Sequence, residues 1–155
     1  MEYKTNVMRI LDKMKIEYCS YSYAATSAIS GIDVANALNQ EPKKVFKTLV
    51  TVGKSRKNYV FVIPVAEELD LKKAAQSVNQ KSIEMVKAKE LLPLTGYVHG
   101  GCSPIGMKKM FTTIIDASAV AFDAIIFSAG KIGYQVEISL EKLKKVIDYD
   151  LADVV

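Results

Sequence analysis

Tryptophan is absent from this 155-residue chain, histidine occurs once, at His99, and cysteine twice, at Cys19 and Cys102. One histidine is too few for a multi-histidine metal centre, so no metal is expected. The number and spacing of the cysteines fit neither a disulfide framework nor a zinc site. A Ser-His-Asp triad would have to recruit His99, and no G-x-S-x-G elbow accompanies it. Long apolar runs are missing too: no stretch approaches ~18 residues, so no segment reads as a membrane span. Lys4, Arg9 and Asp12 interrupt the N-terminal segment where a signal peptide would need its apolar stretch, and the expected location is the cytoplasm. Arginine is confined to Arg9 and Arg56. That is too few for sequence reading by arginine forks, and no DNA partner is expected.

What is present fits an ordinary globule. Hydrophobic residues make up 50% and charged residues 25% of the chain. The length suits one domain over 1–155 with one core. The net charge of +4, from 21 Lys and Arg against 17 Asp and Glu, permits a phosphate-bearing partner without requiring one. The lysine clusters, such as Lys43/Lys44 and Lys72/Lys73, read as solvated faces by default.

Periodicity outlines the elements. Thr5 caps a first helix carrying Val7, Met8, Ile10, Leu11 and Met14. A tyrosine-rich strand follows over 16–23, then a short helix from Asp33 to Leu38. Strands over 44–53 and 58–65, joined by a polar turn, read as a hairpin. Asp70 caps a helix that turns Leu71, Ala74, Ala75 and Val78 inward. A short strand over 82–86 and a short helix from Lys87 to Leu92 lead into a glycine-rich loop. Strands are expected at 112–116, 123–128 and 134–138. Ser139 caps a last helix with Leu140, Leu143, Val146 and Ile147 on one face. The fold class is α+β: a mixed, partly antiparallel, curved sheet flanked by helices.

Three features stand out against that background. Lys47 interrupts the apolar run from Val45 to Val50. A cation in a strand core is costly to bury, so it has a partner or a task. The segments Thr95 to Gly106 and Ser128 to Gly133 are rich in glycine and serine, and their backbone N–H groups could line a site for a polar or anionic ligand. Within the first, Gly100-Gly101-Cys102-Ser103-Pro104 is the candidate carbonyl- or oxyanion-binding loop. Each has a plain alternative: a solvent-facing strand lysine, and turns. Gly53-Lys54-Ser55 invites a phosphate-loop reading, but the earlier glycine that motif requires falls on Thr48. Cys102 lies near His99 in sequence, which does not place a base against its thiol, so it is read as a pocket-wall or core residue.

The order of these features resembles the YbaK/EbsC aminoacyl-tRNA deacylases, relatives of the editing domain inserted in bacterial prolyl-tRNA synthetases. The resemblance rests on Lys4-Thr5-Asn6, Val45 to Val50, Pro64-Val65, Leu69 to Lys73, Thr95-Gly96-Tyr97-Val98-His99-Gly100-Gly101-Cys102-Ser103-Pro104-Ile105-Gly106, Thr113 to Asp116 and Ser128 to Gly133. It spans nearly the whole chain. The chain departs from the family pattern at Ala129 and Ile132, where glycine and arginine are usual. Gln135 stands at a position often filled by aspartate, and glutamine cannot act as a base.

The resemblance implies trans-editing: removal of cysteine from tRNA(Pro), with Cys-tRNA(Cys) as a second substrate. Lys47, Gly100 and Gly101 are the implied catalytic residues. Tyr23, Thr48, Tyr97, Ser103, Pro104, Gly106, Ser128, Gly130 and Lys131 are the implied substrate contacts. No cofactor is implied. The implied partners are the 3′ acceptor end of aminoacyl-tRNA and prolyl-tRNA synthetase. The family mechanism has the substrate's own thiol attack its carbonyl, which agrees with the lack of a protein nucleophile; attack by water is the other route. Two other readings stay open: a deacylase for alanyl-tRNA(Pro) or another small amino acid, and a non-catalytic tRNA- or nucleotide-binding regulatory module.

Overall fold

The hairpin is the spine of the molecule. In the computed structural model, which describes residues 3–26, 28 and 30–155, β2 (Phe46–Gly53) pairs antiparallel with β3 (Asn58–Pro64), from Phe46 opposite Pro64 to Val52 opposite Asn58. Side chains alternate across a strand, so the hairpin feeds two cores. Phe46, Val50, Val60 and Val62 join Val7, Met8 and Leu11 on one face. Tyr59, Phe61 and Ile63 join Ala74 and Ala75 on the other. β3 is buried on both faces, which explains its unbroken apolar run.

Two further strands extend this sheet in parallel. β5 (Thr112–Asp116) lies beside β3, and β8 (Asp150–Ala152) lies beside β5. β4 (Ile83–Met85) pairs with the far end of β2, and the order is β4-β2-β3-β5-β8. A second, antiparallel sheet has the order β1-β7-β6, with β1 at Cys19–Ser22, β6 at Ile125–Ser128 and β7 at Tyr134–Ile138. The single curved sheet expected from sequence is thus two sheets, joined at a parallel bridge between Val45 and Ile126. The α+β class and the mixed strand directions are as expected.

The caps fall where side-chain chemistry puts them. Thr5 Oγ1 accepts from the Met8 N–H at 3.2 Å and opens α1 (Asn6–Lys13). Asp70 accepts from the Lys72 and Lys73 N–H groups, both at 3.0 Å, at the start of α3 (Leu71–Ser77). Leu71 is nevertheless 45% exposed, because Ala74 and Ala75 form the buried face of that helix. α2 (Gly31–Ala37) begins earlier than expected, since Ser30 rather than a later residue caps it. α4 (Ala88–Thr95) continues through Pro93 and stops at Gly96, whose φ of +86° provides the left-handed exit. α5 (Leu140–Lys144) is short; Val146 and Ile147 lie beyond it yet still pack on the core. A 3-10 turn at Ala117–Ala121 and strand β8 are additions to the sequence reading. β8 has no apolar alternation to betray it. Its neighbourhood is set by Asp116, whose Oδ1 accepts from the Val154 N–H at 3.0 Å.

Candidate functional site

The cleft lies where the two sheets part. β2 and β6 run parallel from the Val45–Ile126 bridge and pair nowhere beyond it. Past that point a cleft of about 390 Å³ opens between them, a size that suits a small organic ligand. Tyr23, Lys47, Thr48, Gly100 and Ser128 line it, as do Cys102, His99 and Gln135. Gly101, Tyr97, Ser103, Pro104, Gly106, Gly130 and Lys131 do not line it.

Lys47 is half-buried on β2, opposite Ile63 of β3. Lys4, Lys44, Lys73, Lys142 and Lys144 all pair with carboxylates. Lys47 makes no ion pair or side-chain hydrogen bond among the described residues, and no carboxylate lines the cleft. An unneutralised cation in a partly desolvated cleft attracts a negative group and holds it by a charge-assisted hydrogen bond.

The glycine loop builds the opposing wall. Gly100 has φ +88°, a conformation that disfavours any side chain. Gly101 N–H donates to Val98 O at 3.0 Å, so this donor is engaged in a turn. Gly101 matters instead for close approach: a Cβ there would lie 3.1 Å from the Ile132 backbone nitrogen. Gly100 is therefore the glycine of the pair whose backbone reaches the cleft.

The rest of that motif holds the wall in place from behind. Ser103 is fully buried, and its Oγ accepts from the Ile105 N–H at 3.3 Å. Tyr97 donates its hydroxyl to Ile105 O at 2.5 Å, and burial, helped by the nearby Cys102, pushes its pKa up to about 12. Gly106 and Gly130 pack onto that ring: a Cβ would lie 2.8 Å from Tyr97 Oη at the first and 2.9 Å from Tyr97 Cε1 at the second. Pro104 and Gly106 border a separate hollow near Tyr149. Lys131 Nζ donates to the Tyr3 hydroxyl at 2.9 Å and lies 4.6 Å from that ring's centre, outside the cleft.

Three cleft residues bear on chemistry. Burial pushes the Cys102 thiol up to about 12, outweighing a hydrogen bond with Thr95 that acts the other way. The thiol is therefore protonated at neutral pH, the form that does not attack carbonyls. His99 is exposed and has no carboxylate beside it in the cleft, so a Ser-His-Asp arrangement lacks its acid. Gln135 is buried, and its Oε1 accepts from Gln40 Nε2 at 2.8 Å. Cys102→Ala should accordingly keep most of the chain's activity, while Gly101→Ala should lower it clearly by displacing the Ile132 backbone. Parallel rate and melting measurements on the two variants check this. A folded but inactive Cys102→Ala would restore the thiol as a nucleophile.

Sequence reasoning missed the wall supplied by α2 and its surroundings: Ser30, Gly31, Val34, Val65 and Leu91. One signal was legible. Gly31, a glycine just ahead of the helix expected from Asp33, sits so close to Val65 that a Cβ would fall 2.5 Å from its Cγ1, and glycine permits such close approach.

Known proteins bear on this geometry. Residues 27–146 match the family model described as the aminoacyl-tRNA editing domain. A protein of Enterococcus faecalis (strain ATCC 700802 / V583), EbsC, described as a candidate Cys-tRNA(Pro)/Cys-tRNA(Cys) deacylase, is 43% identical over 152 residues, covering 97% of this chain and 93% of its own. Two solved structures share the fold. The hypothetical protein APE2540 has a TM-score of 0.87 at 19% identity, covering 97% of this chain and 99% of its own. A candidate trans-editing enzyme for prolyl-tRNA synthetase has a TM-score of 0.84 at 20% identity, covering 98% of each chain.

Proposed function

The chain belongs to the aminoacyl-tRNA editing domain family, and from that premise we propose that it clears cysteine from mischarged tRNA(Pro), with Cys-tRNA(Cys) as a second substrate. The observation that carries the reading is Lys47: a cation with no ion pair among the described residues, in a cleft that none of their carboxylates lines, bordered by the Gly100 loop. An aminoacyl ester is already activated. The site needs to hold the terminal nucleotide, orient the ester carbonyl and stabilise the negative charge that develops on it. Lys47 anchors a phosphate or ribose oxygen of the 3′ end. Gly100 presents backbone toward the ester carbonyl, and Ser128 closes the aminoacyl end of the cleft.

The nucleophile comes from the substrate. The cysteinyl sulfur, losing its proton, bonds to its own carbonyl carbon. The ester C–O bond then breaks, the ribose oxygen leaves with the electron pair and takes up a proton, and a cyclic thiolactone departs. The raised pKa of Cys102 agrees with a protein that contributes no nucleophile of its own. Prolyl-tRNA synthetase is the proposed partner, supplying recognition of the tRNA body, and the cytoplasm is the proposed setting.

The deciding experiment incubates the purified protein with Cys-tRNA(Pro), Cys-tRNA(Cys), Ala-tRNA(Pro) and Pro-tRNA(Pro). Rapid loss of the cysteinyl ester alone is the expected outcome. Preferred clearance of the alanyl ester would move the assignment to a different small amino acid. Binding without clearance of any ester would leave a tRNA-binding module.

A further inference from the structure

Strand β2 has an unfinished edge inside the cleft. In an antiparallel pair, alternate residues turn both backbone groups toward the partner, and the residues between them turn theirs away. Gly53 N–H donates to Lys57 O at 2.9 Å across the hairpin, and the register continues without a break to Phe46. Lys47, Leu49 and Thr51 therefore address β3, while Phe46, Thr48 and Val50 address the outer edge. β4 covers that edge from Thr51 onward, and Val50 O accepts from Val86 N–H at 3.2 Å. At the other end β6 covers it beside Val45. Thr48 stands in the gap. By register its N–H and C=O turn away from β3, and neither the β4 ladder nor the β6 bridge extends to it among the described residues; its Oγ1 is buried and unpartnered. Strand edges left open by a fold are usually blunted, and this one is covered on both sides of a short stretch that lines the cleft.

Resting on the editing reading above, we infer that Thr48 holds the terminal adenine of the tRNA by its Watson–Crick edge. The Thr48 N–H donates to adenine N1, and the Thr48 C=O accepts from the N6 amino group. A strand residue facing outward offers one donor and one acceptor side by side, and adenine offers the complementary pair. Phe46, Leu49 and Leu91 line the same cleft and offer apolar surface for the planar ring. The assignment divides the substrate among three neighbours: phosphate or ribose to Lys47, base to Thr48, ester carbonyl to Gly100. It also gives a short break in strand pairing a recognition role with no side-chain code.

The test changes the ligand and leaves the protein intact. Binding of the trinucleotide C-C-A is measured by calorimetry against three analogues. In these the last base is purine, which lacks the N6 amino group, 1-deazaadenine, which lacks N1, or 7-deazaadenine, which alters only the opposite edge. The first two should bind about tenfold more weakly or worse, because each leaves a half-buried backbone group unpaired. The third should bind like C-C-A. Equal binding of all four, no binding of C-C-A at millimolar concentration, or a loss confined to 7-deazaadenine would overturn the inference. Equal binding would return Thr48 to the aminoacyl group, whose ammonium and carbonyl are the competing occupants. Clearance of Cys-tRNA(Pro), measured alongside, separates the two readings. Clearance without base preference sinks the adenine assignment alone. Base preference without clearance supports it and sinks the proposed reaction.

Discussion

Lys47→Ala is expected to yield a folded protein that has lost nearly all deacylation. The side chain lies half-buried on β2 and makes no ion pair among the described residues, so its truncation removes no ion pair there. The fold should therefore persist, with a melting temperature close to that of the parent. The substrate would lose its charge-assisted anchor in a partly desolvated cleft, a loss of about 2–5 kcal/mol of stabilisation. Lys47→Arg should also be impaired. A planar guanidinium is broader than an ammonium and cannot occupy the same point. Rates on Cys-tRNA(Pro), with melting curves for each variant, provide the check. Near-normal turnover by a folded Lys47→Ala would remove the residue from the site.

The second large effect concerns the substrate. Cys-tRNA(Pro) should disappear far faster than Ser-tRNA(Pro), although the two side chains differ by one atom. Binding alone discriminates near-isosteres by about 1–3 kcal/mol. A rate ratio well beyond that range points to the thiol as reactant, and isolation of the thiolactone would identify the bond made. The cleft supports this expectation in two ways. Among the described residues no carboxylate lines it to serve as a base for water, and the Cys102 thiol that does line it is held protonated. Equal rates for the two esters would assign the attack to water.

Much of this architecture could be read from the chain, and the misses share a cause. Helices α1 and α3 announced themselves through Thr5 and Asp70, because a capping side chain acts within a few residues. The β2–β3 hairpin was legible because its pairing is local. β8 was not, since three residues pairing with β5 carry no period of their own. The division into two sheets depends on one bridge, Val45 to Ile126, that no local pattern encodes. The cleft follows the same rule. Lys47 and Gly100 stood out by chemistry, whereas Val34, Val65 and Leu91 look like any core residues until the fold gathers them. The motif from Thr95 to Gly106 also mixed two kinds of residue. Gly100 and Cys102 reach the cleft, while Tyr97 and Ser103 brace the loop through Ile105. Spacing along the chain cannot separate a wall from its support.

The pairing of β1 with β7 has a consequence for the order in which the molecule is made. Cys19 lies opposite Glu137, whereas β2 meets β3 directly after a short turn. Distant pairings are slow to form because a long loop must close before any contact rewards it. On a growing chain the hairpin can assemble as soon as it emerges, while β1 must wait for almost everything that follows. The cleft needs Ser128 from β6 and Tyr23 from the end of β1, with Tyr23 N–H held by Gly133 O at 2.7 Å. A chain stalled before β7 would therefore carry a formed hairpin with Lys47 in place and no enclosed site around it. The enclosed site therefore depends on the second sheet, whose central strand β7 lies late in the chain.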